Sequence, residues 1–124
     1  MKKQKIMKTI ALPEWAYDRL AEQIAETDVD LADYKWSGRA EFYAGLLFND
    51  DAGKQVELEM KGDLAVNEED MSFTHDFGTE VILEAHPAGI DYISRVEAWD
   101  EDDIKCDIII DYGLLNRKVE RLCR

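Results

Sequence analysis

Gln55-Val56-Glu57-Leu58-Glu59-Met60-Lys61-Gly62-Asp63-Leu64-Ala65-Val66 alternates apolar with polar residues as far as Leu64, and Val66 keeps the parity across Ala65. A period of two over this length is the pattern of a half-buried antiparallel strand, with Val56, Leu58, Met60, Gly62, Leu64 and Val66 on the core side and Glu57, Glu59, Lys61 and Asp63 in water. Upstream, Asn49-Asp50-Asp51-Ala52-Gly53 is rich in turn formers and closes a hairpin. Before it, Ala40, Phe42, Ala44, Leu46 and Phe48 repeat the inward parity from Arg39 onward. Downstream, residues 67–78 read as a polar loop. Strands are expected at 79–86 (Val81, Leu83 and Ala85 inward), 91–100 (Tyr92, Val96 and Ala98 inward) and 104–112 (Ile104, Cys106, Ile108, Ile110 and Tyr112 inward). His86-Pro87-Ala88-Gly89 and Asp100-Glu101-Asp102-Asp103 supply the turns between them.

Two helices frame these strands. Pro13 suits a first helical turn, Glu14 and Asp18 favour a helix N-terminus, and Ala16, Tyr17, Leu20, Ala21 and Ile24 make an apolar stripe, so a helix is expected at 13–26. After Gly113, the spacing of Leu115, Val119 and Leu122 gives a short amphipathic helix with Arg and Lys at its negative end. Residues 27–38 read as a connection with one helical turn. The expected fold is α+β: a five-stranded antiparallel meander with an N-terminal and a C-terminal helix covering one face. The 124 residues form one domain, in which residues 1–12 read as an edge strand or a mobile N-terminus.

Charge narrows the partners. The chain carries 15 Lys+Arg against 28 Asp+Glu, for a net −13. Four Lys in residues 1–8 and a net +3 in residues 117–124 leave residues 9–116 at −20. Such a surface repels phosphates and anionic lipid, which argues against direct nucleic-acid or membrane binding and favours a basic protein partner, including a role as a nucleic-acid mimic. The apolar stretch after the basic start is only Ile6 to Leu12 and Lys8 interrupts it, unlike a signal peptide. Cys106 and Cys123 form no disulfide framework, so a reducing, cytoplasmic setting is expected.

No motif names a reaction. The two histidines, His75 and His86, fall at opposite ends of a simple meander, and each reads as solvated or satisfied. There is no HExxH, no paired Cys with zinc spacing and no calcium loop, so neither a cofactor nor a metal is assigned. Cys106 reads as core, and Cys123, between Arg121 and Arg124, as a thiol that nearby positive charge could activate. The plentiful carboxylates have wet parity, so none has the burial that raises a catalytic pKa, and an enzyme is not expected.

The uncovered sheet face is the candidate site. It would carry Tyr43, Leu47, Ile82, Ile93, Trp99 and Ile109 among acids that include Glu57 and Glu59. Same-face carboxylates two apart on a strand are ~6.6 Å from one another, a crowding that a cationic partner relieves. Trp99 is the expected anchor, because a buried Trp dominates binding energetics. Trp15 is expected in the core, and Trp36 in a loop that lids the sheet. Two rival readings remain: a homodimer packed sheet to sheet, and a divalent-cation or catalytic site where loops 68–70 and 100–103 bring seven carboxylates to one edge.

Overall fold

The computed structural model describes residues 8–70, 72–81 and 83–124. In chain order the elements are β1 (Lys8–Ala11), α1 (Glu14–Ala25), α2 (Leu31–Ser37), β2 (Glu41–Asn49), β3 (Gln55–Asp70), β4 (Phe73–His75), β5 (Gly78–Glu80), β6 (Leu83–Asp100), β7 (Cys106–Ile109) and α3 (Tyr112–Leu122). The class is α+β. The central sheet, however, has three antiparallel strands in the order β2-β3-β6, not five in a meander. β7 leaves that sheet and pairs in parallel with β1, joining the two ends of the chain. β4 and β5 form a small separate hairpin.

α1 and α3 pack on each other and on one face of the central sheet, as the amphipathic stripes require. The core holds Ala16, Leu20 and Ile24 from α1, Phe42 and Phe48 from β2, Val56, Leu58 and Met60 from β3, and Leu115 and Val119 from α3. Asp30 caps α2 by accepting from the Asp33 amide, and Gly38 ends it in the left-handed region at φ 71°. The expected loop 27–38 is therefore largely helical. Trp36, on the last turn of α2, is 92% exposed and lids nothing, while Trp15 is about half exposed on the outer side of α1.

The largest departure from expectation lies in β3 and β6, of 16 and 18 residues. β2 accompanies β3 only from Gln55 to Asp63, and beyond this β3 pairs with β6 alone. The result is a two-stranded arm tipped by β4 and β5. His86-Pro87-Ala88-Gly89 is not a turn but the interior of β6. Pro87 is tolerated there because the outer edge of the arm needs no amide donor. Val81 and Leu83, expected inward, are exposed on this arm because no helix covers them as the meander would require.

β6 also contains three irregularities, at which Ser94, Asp91 and Ala88 are the extra residues against Lys61/Gly62, Asp63/Leu64 and Ala65/Val66. A bulge inserts one residue and so exchanges the faces of everything beyond it. Val96 and Ala98 keep their inward parity, whereas Tyr92 turns out to solvent and Ile93 packs against the core. The short β7 keeps Cys106, Ile108 and the following Ile110 buried, while Ile104 and Tyr112, expected inward, lie outside it and are partly exposed.

The outer edge of β2 is blocked by a side chain. Gln23 Nε2 donates to Gly45 O at 2.7 Å, and Gly45 N donates to Gln23 Oε1 at 2.9 Å, so an amide from α1 imitates a neighbouring strand. Gln23→Ala removes both bonds at a partly solvated position. A stability loss of about 1 kcal/mol is expected in urea unfolding, and an unchanged midpoint would show the contact to be idle.

Candidate functional site

The register of β2, β3 and β6 sets the open face in rows. Leu47, Glu57 and Trp99 form the first, Gly45, Glu59 and Glu97 the second, Tyr43, Lys61 and Arg95 the third, and Glu41, Asp63 and Tyr92 the fourth. Side chains in one row are close neighbours, because strands lie ~4.8 Å apart. The structure thus brings together Tyr43, Leu47, Glu57, Glu59 and Trp99 of the expected site. Tyr43 and Leu47 are 67% and 53% exposed, and Trp99 is half-buried in its row.

Two expected members are not part of this face. Ile93 points to the core, because Ser94 is inserted between it and Arg95. Ile109 is exposed, but β7 belongs to a different sheet. Ile82 lies outside the described residues. Tyr92 takes a place the sequence did not offer, and the clue was Gly62: a glycine inside a strand pattern often marks a bulge.

Charge on the face is unevenly balanced. Arg39 Nη2 lies 3.1 Å from Asp63 Oδ2 and 3.8 Å from Glu41 Oε1. Lys61 Nζ is 3.9 Å from Glu41 Oε2 and sits 5.2 Å from the centroid of the Tyr43 ring. Hydrogen bonding to Tyr43 and then the charge of Glu41 push the Lys61 amine pKa up. Arg95 Nε pairs with Glu97 Oε1 at 3.3 Å. Among the described residues, Glu57 and Glu59 have no ion-pair partner, although Glu59 stands directly opposite Glu97. Opposed like charges destabilise a sheet. Because Gly45 contributes no side chain to that row, a depression of about 570 Å³ opens there, lined by Gln23, Tyr43, Glu59, Lys61 and Arg95.

The chain matches no family model, no curated protein and no solved structure. Its chemistry is therefore read from its own residues.

The acidic edge built from loops 68–70 and 100–103 does not exist. Glu68, Glu69 and Asp70 pair with Ala85, Glu84 and Leu83, whereas Asp100 pairs with Val56 at the other end of the ladder. Thirteen residues of strand between Val56 and Glu69 span roughly 40 Å. Asp100 instead joins Asp50 around Lys8, and Asp102 pairs with Lys54. The histidines are not at opposite ends either, since both lie on the arm. His75 Nδ1 accepts from Phe77 N in the tip, between the Phe73 and Phe77 rings, and His86 lies within β6. Burial pushes the thiol pKa of Cys106 up, and that of Cys123 as well, so the flanking arginines do not activate Cys123. No helix is long and apolar enough to cross a membrane among the described residues.

Proposed function

We propose that the chain is a non-enzymatic protein-binding module that docks a Lys/Arg-rich protein surface on the open face of β2, β3 and β6. The supporting observation is the pair of adjacent rows Leu47–Glu57–Trp99 and Gly45–Glu59–Glu97. They place exposed apolar area beside Glu57 and Glu59, which have no ion-pair partner among the described residues, and beside Glu97, which pairs with Arg95. Cations from a second protein would relieve the opposed Glu59 and Glu97, while Leu47, Tyr43 and Trp99 supply the contact area. Occupying the basic groove of a nucleic-acid-binding protein is the special case of this reading, and the net charge of −13 supplies the steering. A cytoplasmic setting goes with it, on the strength of two free thiols. A face-to-face homodimer is the rival reading, in which Leu47, Tyr43 and Trp99 of two copies would pack together.

The test is titration with a fluorescent oligo-lysine peptide at low and moderate salt. Glu57→Gln with Glu59→Gln is expected to weaken binding about tenfold at low salt. Glu14→Gln with Glu22→Gln, which removes the same charge from the exposed side of α1, should change it little. Equal losses from both pairs would reduce the interaction to net charge and remove the face from the proposal. Light scattering should give a monomer at low and high salt, and a stable dimer dissociated by Trp99→Asp would assign the face to self-association instead.

A further inference from the structure

On the arm, Glu84 and His86 are two residues apart on β6 and therefore share a face, while Glu69 on β3 is the register partner of Glu84. His86 Nε2 lies 3.0 Å from Glu84 Oε2 and 3.6 Å from Glu69 Oε2. One donor atom from each of the three lies within 4.8 Å of the others. Two atoms each about 2.1 Å from a metal ion stand about 3.0 Å apart at a right angle and about 3.6 Å apart at about 120°, so the His86–Glu84 separation, which is also that of the hydrogen bond between them, and the His86–Glu69 separation are both compatible with ligands to one ion. The cleft beside them, of about 600 Å³ between residues 25–31 and β6, is lined by Glu26 and Asp28 as well as Glu84 and His86, with no Lys or Arg in its wall. The register thus sets two carboxylates against each other in a negative field, with an imidazole nitrogen as the third donor.

From this geometry we infer that Glu69, Glu84 and His86 bind a first-row divalent transition cation of the zinc class. One nitrogen and two carboxylate oxygens suit such an ion better than calcium or magnesium, which take oxygen ligands. The ion ties β3 to β6 where a single ladder holds them, in a two-stranded ribbon of the kind that is marginal in water by itself. All three ligands are exposed, so water completes the coordination.

The experiment uses the full chain carrying Cys123→Ser, which removes the more accessible thiol as a competing ligand. Zinc is titrated by calorimetry, and the imidazole signals are followed by NMR. The chain has only two histidines, so His75 serves as the internal reference. One equivalent is expected to bind and to move the His86 signals while leaving those of His75 in place. His86→Ala and Glu84→Gln should each weaken binding by at least roughly tenfold, with the amide spectrum of the core unchanged because both positions are exposed. Millimolar magnesium or calcium should not displace the zinc. The inference is overturned if zinc leaves His86 unmoved, in which case the triad is an ion pair only. It is overturned equally if His86→Ala binds as tightly as the parent, or if magnesium or calcium competes.

Discussion

Gly62→Ala is expected to destabilise the protein by about 3 kcal/mol or more, the severe end of what adding one methyl to a packed site does. A Cβ at this position would lie 2.3 Å from Tyr92 O and 2.8 Å from two atoms of the Phe42 ring. Phe42 is fully buried and is the register partner of Gly62 on β2, so its ring cannot swing away without opening the core. Tyr92 O belongs to the β6 backbone two residues from the inserted Ser94, so relief there means shifting the strand at the bulge. At this chain length such a loss lowers Tm by roughly 10 °C. Gly113→Ala makes the contrasting control. Its Cβ meets only Oδ1 of the N-cap Asp111 at 3.4 Å and Arg117 Nη1 of α3 at 3.5 Å, and alanine should add up to about 1 kcal/mol. Thermal unfolding of the two variants beside the parent decides the matter. A Gly62→Ala protein within about 1 kcal/mol of the parent would mean that β3 and β6 do not meet in this register, and the rows of the open face would fall with it.

That dependence on register marks where the sequence stops being legible. The apolar stripe of α1 is a local pattern, and all five of its residues are buried as expected. The alternation of Val56 to Leu64 is local too, and so Glu57, Glu59, Leu47 and Tyr43 could be placed on the open face before any pairing was known. Trp99 follows, because Val96 to Asp100 lies on the near side of the Ser94 bulge. Beyond that bulge the alternation restarts on the other face, which moved Ile93 inward and Tyr92 outward. Pro87 and Gly89 carry turn chemistry that β6 uses for an irregular strand instead, with Gly89 lying against Asn116 and Glu120 of α3. The parallel pairing of β1 with β7 links segments almost a hundred residues apart, and four-residue strands hold no pattern that names a partner. The Glu69–Glu84–His86 triad was hidden for the same reason, since it exists only in the extended ladder.

The contact that closes the fold depends on charge. Lys8 Nζ donates to Asp100 Oδ2 at 2.7 Å and to Asp50 Oδ2 at 3.1 Å. Each aspartate spends its other oxygen on its own turn. Asp50 Oδ1 accepts from Ala52 N and Lys54 N, and Asp100 Oδ1 accepts from Asp102 N and Ile104 N. One lysine on β1 therefore pins both the β2–β3 turn and the β6–β7 turn. Lys8, followed by the Ile104 amide, holds the Asp100 carboxyl below its usual range. For Asp50 the Lys54 amide does most, with Lys8 adding to it. The two carboxylates push the Lys8 amine above its usual range, the hydrogen bond to Asp100 first. Depressed carboxylates contribute stability that is complete above the unfolded value of about 4 and is lost as pH falls through the lower folded values. The raised amine contributes stability that is complete below its unfolded value of about 10.4 and is lost as pH rises through the folded one. The clasp is thus constant across neutral pH. Asp100→Asn keeps the shape and an acceptor oxygen but removes the charge, and should lower Tm by several degrees at pH 7. Lys8→Met, which leaves Asp50 and Asp100 facing each other unneutralised, should cost at least as much. The difference between parent and Asp100→Asn is expected to hold from pH 5 to 9 and to shrink below about pH 4, where the parent's own carboxylates take up protons. A difference as large at pH 3 as at pH 7 would show that packing around the buried Asp100, not its charge, holds the two turns.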